Sequence, residues 1–123
     1  MKRLSLQDMS VDQLVDRFAA LALEQDQAML EENIKRVNQL FDALEDVEGA
    51  LKQREGDQRR ALLRLYSHKN PQVRVKAVKA TLAVEPTTAR SMLQAIADSR
   101  EYPQSAEAAS SIRYLNKGIY KPK

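Results

Sequence analysis

Apolar residues recur along this chain at helical spacing. Val11, Leu14, Val15, Phe18, Leu21, Ala22 and Met29 follow the 3.6-residue period of one helix face. They predict a helix over about residues 11–30. Ser10, with Gln13 three positions on, supplies a capping-box pattern at its start. A second stripe, Ile34, Val37, Leu40, Phe41, Leu44, Val47 and Leu51, predicts another long helix over roughly residues 33–55. The break between the two, near Glu31–Asn33, carries only a weak mark. Gly49 inside the second helix costs ~1 kcal/mol relative to Ala, and Gly56 suits a C′ stop.

The rest of the chain is punctuated by proline. Asp57 suits the cap of a short helix carrying Leu62, Leu63, Leu65 and Tyr66. Asn70-Pro71 reads as an N-cap followed by proline at the first helical position, opening a helix to about Val84. Pro86 begins the next, with Ala89, Met92, Leu93, Ile96 and Ala97. Pro103 begins a last one, with Ala106, Ala109 and Ile112 expected inward, ending before Gly118. No alternation of strand type competes with these periods. The expected fold is all-α, five to six helices in a short superhelix of antiparallel pairs. The expected organisation is a single domain over residues 1–123, with a long helical hairpin or cap over 11–55 and two helix pairs over 57–117. Leu62, Leu65, Val73, Ala77, Leu93 and Ile96 are the expected core of those pairs.

A weak internal repeat accompanies the second half. Leu62–Leu65 followed by Pro71, Ala77 and Ala80 matches Leu93–Ile96 followed by Pro103, Ala109 and Ile112, at an offset of 31 to 32 residues. Such units cannot bury a face alone, so they stack. The run Asn70-Pro71-Gln72-Val73-Arg74-Val75-Lys76-Ala77-Val78-Lys79-Ala80-Thr81-Leu82 resembles the turn and second helix of a HEAT-like repeat, through Pro71, Val73, Arg74, Ala77 and Leu82. The stretch from Ala61 to Pro122 is similar to a family of small bacterial proteins of unknown function with HEAT-like (HEAT/armadillo-like) helices. Ala97-Asp98-Ser99-Arg100-Glu101-Tyr102-Pro103-Gln104 and Gly118-Ile119-Tyr120-Lys121-Pro122 carry part of that likeness. The resemblance implies an α-α superhelix that binds partners, and no catalytic residues.

Composition narrows the chemistry. There is no Cys and one His, His68. That leaves no disulfide, no thiolate zinc site and no pair of imidazoles for a metal. The expectation is therefore no enzyme, no metal and no cofactor. No apolar run nears the ~18 residues of a membrane span. Met1-Lys2-Arg3 is basic, but no apolar signal core follows it, so a cytoplasmic protein is expected.

Charge is unevenly placed. Residues 1–55 hold 7 basic and 12 acidic groups, net −5; residues 56–123 hold 13 basic and 5 acidic, net +8. Arg59, Arg60, Arg64, Lys69, Lys76 and Lys79 are candidates for a basic partner-binding surface. Such a surface releases counterions from nucleic acid, yet no stacking aromatics or recognition motif accompany it. The favoured reading is a protein-interaction module, in one concrete form an immunity-type partner of a toxin. Nucleic-acid binding by the basic half is the alternative. Acidic and basic ends that face each other fit a monomer or weak homodimer. Arg74 differs from its neighbours, because its wheel position falls in an apolar arc with Val73, Ala77 and Val78. It is expected to be structural, as is Pro71, and to need partners. The turn lacks the Asp often found in HEAT-like units. Asp57, Asp98 and the turn carbonyls near His68 and Asn70 are the candidates.

Overall fold

The computed structural model describes residues 4–123. Met1-Lys2-Arg3, read above as a basic start, lie outside the described residues. Every regular element among those described is helical: α1 (Val11–Leu30), α2 (Ile34–Gln53), α3 (Pro71–Thr81), α4 (Pro86–Asp98) and α5 (Gln104–Asn116), with 3₁₀ segments at Leu6–Asp8 and Gln58–Ser67. The expected all-α fold is the observed one. No described helix is long and apolar enough to cross a membrane. The chain divides into two compact units, one ending at Ala61 and one spanning Leu62–Lys123.

The first unit is a hairpin. Ser10 Oγ accepts the Gln13 amide at 3.1 Å while Gln13 Oε1 accepts the Ser10 amide at 2.8 Å, so both halves of the capping box form. α1 buries Leu14, Val15, Phe18, Leu21, Ala22 and Ala28, and α2 buries Leu40, Leu44, Val47 and Leu51. The break between them is a Schellman motif. The Glu32 amide donates to the Met29 carbonyl, and the Asn33 amide to the Ala28 carbonyl. Glu32 takes the left-handed conformation there, at φ 56°. Glycine would mark that position in sequence, and Glu32 hides it. α2 stops at Gln53, earlier than Gly56 suggested. Its C-cap, Arg54, is extended and donates to the carbonyls of Leu6 and Met9 at 3.0 and 2.6 Å.

Two expectations for the second half need correction. The segment after Asp57 is 3₁₀ rather than α-helical. Arg59, Leu62 and Leu65 are its buried positions, at 4%, 0% and 9% exposure. They fall every third residue, which is the period of a 3₁₀ helix. In α5 the inward residues are Gln104, Ala108 and Ser111, with Ala106 and Ala109 exposed. The sequence reading took Ala106, Ala109 and Ile112 as inward. Ile112 does pack against the core, while the two alanines lie on the other side of the helix from Gln104, Ala108 and Ser111.

α3 starts as expected. Asn70 Oδ1 accepts the amides of Gln72 and Val73 at 2.8 and 3.3 Å, with Pro71 at the first helical position. Its buried residues, Gln72, Val73, Val75, Ala77, Val78, Ala80 and Thr81, leave little of it exposed. Val75, Val78 and Leu82 pack with Ala89, Leu93 and Ile96 of α4 and Ala108 of α5 in one cluster. All six expected core residues are buried.

Candidate interaction surface

The basic residues of the second half separate into those held inside and those exposed. Arg59 is no surface cation. It donates to both carboxylate oxygens of Asp57, at 2.9 and 2.7 Å, and lies 3.8 Å from Glu48. These bonds place Asp57 below the usual carboxylate range. Glu48 goes the other way, because its burial outweighs the attraction of Arg59. Sequence reasoning grouped Arg59 with its exposed neighbours because they are cations close together in the chain. In the structure it shares the buried side of the 3₁₀ turn with Leu62 and Leu65.

Lys76 and Lys79 are also engaged. Both donate to Glu107 Oε2 of α5, at 3.1 and 3.2 Å. Lys79 Nζ lies 5.9 Å from the centroid of the Tyr120 ring. Burial alone would raise the Glu107 carboxyl, yet the two ammonium groups outweigh it and hold it below the ordinary value. One turn earlier, Gln104 Nε2 donates to Gln72 Oε1 at 2.9 Å, fully buried. Gln72, Lys76 and Lys79 lie at i, i+4 and i+7, one side of α3. They form a polar seam with α5.

Arg74 closes the end of this seam. Its guanidinium donates to the carbonyls of His68 and Lys69, at 2.8 and 3.1 Å, and to Glu101 at 2.7 Å. The side chain is 18% exposed. Its acidic partner is Glu101 of the α4–α5 turn, and neither Asp57 nor Asp98. No helical period links residue 74 to a turn 27 positions on, so sequence could not name that partner. His68 Nδ1 accepts the Asn70 amide at 3.0 Å, so its free proton sits on Nε2. Among the described residues, no three of His, Asp and Glu gather as a metal-holding group.

Exposed positions remain at Arg60, Arg64 and Lys69. An open groove along α4 is lined by Tyr66, Thr87, Thr88, Ser91, Met92 and Ala95. The Tyr66 hydroxyl donates to Thr81 Oγ1, whose own proton goes to the carbonyls of Ala77 and Val78. Burial raises the phenol further above its ordinary value. It therefore stays protonated and occupied near neutral pH.

Several large apolar residues are also exposed, and sequence periodicity assigned some of them to the core. Leu23 and Leu30 on α1 are 42% and 74% exposed, and Ile34 and Phe41 on α2 are 71% and 47% exposed. Each pair is seven residues apart, on one side of its helix. The apolar stripe read for α2 included Ile34 and Phe41. The helix turns Leu40, Leu44, Val47 and Leu51 inward instead.

The helices, the polar seam and the exposed apolar pairs define a small all-α protein. Residues 12–116 match the family described as a domain of unknown function (DUF2019), and the chain belongs to that family. Among solved structures it is similar to the protein RPA1889 from Rhodopseudomonas palustris CGA009. The identity is 44% and the TM-score 0.94, over 98% of this chain and 100% of that one. No curated protein matches the chain. The resemblance to small bacterial proteins of unknown function thus holds.

Proposed function

We propose that the protein is a non-catalytic, cytoplasmic helical-repeat module that binds another protein. One observation carries this reading: four large apolar side chains, Leu23, Leu30, Ile34 and Phe41, stand exposed on well-formed helices. Exposed apolar surface of that kind marks contact sites when it is grouped rather than scattered. Residues 57–117 are read as two HEAT-like helix pairs within one domain. Equal burial one repeat apart supports this at Leu62 and Leu93, each 0% exposed, although Ala109, the repeat counterpart of the buried Ala77, is exposed.

The test is photo-cross-linking in the native host from a reactive residue placed at Leu23 or Phe41. A discrete adduct with one protein is expected, and it should vanish in Leu30→Glu/Ile34→Glu. Absence of any adduct above background would remove the reading. The nucleic-acid alternative is weakened by geometry, since Arg59, Lys76 and Lys79 are tied to carboxylates. A salt titration with duplex DNA and RNA should find only weak binding that fades as salt rises. Tight binding at physiological salt, lost in Arg60→Ala/Arg64→Ala/Lys69→Ala, would promote it.

A further inference from the structure

We propose that a second copy of this chain docks on the α1–α2 turn through the end of its own α5. Both surfaces stand on the same local architecture. At the end of α5 the Gly118 amide donates to the Leu115 carbonyl and the Ile119 amide to the Tyr114 carbonyl. This is a Schellman motif like the one that ends α1, with Gly118 left-handed at φ 70°. Each motif leaves apolar side chains beside it uncovered. Leu30 and Ile34 are 74% and 71% exposed at the α1–α2 turn; Tyr114 and Ile119 are 45% and 68% exposed at the α5 end. Neither surface is therefore covered within the single chain.

Charge selects the pairing. Residues 24–36 carry Glu24, Asp26, Glu31 and Glu32 against Lys35 and Arg36, net −2. Glu24 and Arg36 neutralise each other at 2.8 Å. Glu31 and Glu32 flank Leu30 and are exposed. Residues 108–123 carry Arg113, Lys117, Lys121 and Lys123 and no acidic side chain. Two like surfaces would repel, whereas an acidic apolar turn and a basic apolar helix end attract. One chain carries both halves of the complementary pair, so each copy meets its match in every other. The contact is heterologous, because different patches meet, and each docked copy keeps one patch unused. The apolar area is small, which places the association among weak, transient contacts.

Sedimentation velocity on the full chain tests this. At low salt the average mass should rise above the single-chain 14.0 kDa as concentration increases. The rise is expected at about 0.1–1 mM, the range of a weak contact. Raising ionic strength to about 1 M, where the Debye length is ~3 Å, should reverse it. Ile34→Lys and Ile119→Lys, both at exposed positions, should each stay single. Their equimolar mixture should form a two-chain species. The intact turn of one variant then meets the intact helix end of the other, while the two altered patches have each lost the apolar side chain at their centre.

A native chain that stays single throughout would overturn the proposal. So would self-association that persists in either variant, or a mixture that fails to associate. The proposal rests on the protein-contact reading above, and the two fail separately. A single native chain removes the second copy as occupant, while a foreign partner falls only with the cross-linking experiment.

Discussion

The hairpin and the second unit solve the same packing problem with different materials. α1 and α2 are 20 residues each, and they bury large aliphatic and aromatic side chains along their length. Gln25 is the buried polar exception, donating to the Val37 carbonyl at 3.2 Å. The helices α3, α4 and α5 have only 11, 13 and 13 residues. The fully buried positions of α5 are Gln104, Ala108 and Ser111, which offer little apolar area. At about 25 cal/mol per Å² of buried apolar surface, such a face gains little from burial alone. Ile112 and Leu115 add partly buried area. The remainder of its attachment is polar: Gln104 to Gln72, Glu107 to two lysines, and Glu101 to Arg74. A long helix can rely on its stripe, and a short one with small inward residues needs specific bridges.

The largest expected effects ask whether each unit, taken by itself, rests on an apolar core. Leu40→Ala in the hairpin and Leu93→Ala in the second unit should each cost about 2–5 kcal/mol, the range for a buried leucine. Urea unfolding measures both. A loss below about 0.5 kcal/mol for either would place that side chain at the surface.

Arg59→Ala should come next, at about 2–3 kcal/mol, because it strips Asp57 and Glu48 of a buried cation. Arg60→Ala, one position on and exposed, should change stability by less than about 0.5 kcal/mol. Equal midpoints for the two variants would return Arg59 to the solvated surface and undo the three-residue register.

The polar seam predicts a pH signature of its own. Glu107 is held below its unfolded value, so its contribution is complete above about pH 4.5 and fades as pH falls through the depressed folded value. Glu107→Gln should cost about 1–2 kcal/mol at neutral pH, and it should flatten the acid limb of the stability curve. In the hairpin, Glu24→Gln breaks an exposed pair with Arg36 and should cost less than about 0.5 kcal/mol. An unchanged acid limb in Glu107→Gln would mean that the seam contributes no more than a surface pair.

The smallest effects compare two helix ends of one design. Glu32 and Gly118 occupy the same left-handed position of a Schellman motif. Glu32→Gly should raise stability by about 0.5–1 kcal/mol through relief of backbone strain, less the greater freedom of glycine in the unfolded chain. Gly118→Ala should lower it by about 1 kcal/mol. A Cβ at Gly118 meets nothing within 4 Å, so that loss would be purely conformational. Shifts of the same sign in thermal melts would contradict the shared geometry.

Periodicity, caps and prolines were sufficient for the helices, because these signals act within a few residues. Ser10 with Gln13, Asn70 with Pro71 and Pro86 each marked a helix start that the structure retains. The same local signals gave the buried leucines of the second half, whose spacing survives in either helix type. Which side of a helix meets the core was harder to read wherever several sides carry apolar residues. Ile34 and Phe41 of α2, and Ala106 and Ala109 of α5, were read inward and lie exposed. Only the tertiary structure showed that Arg59 is buried, because the fold brings the carboxylates of Glu48 and Asp57 to its guanidinium. It also chose Glu101 for Arg74 and Glu107 for Lys76 and Lys79, at separations of 27, 31 and 28 residues. A side chain's charge is written in the sequence. Its partner is set by which helix packing brings within about 3 Å, and no local pattern carries that information.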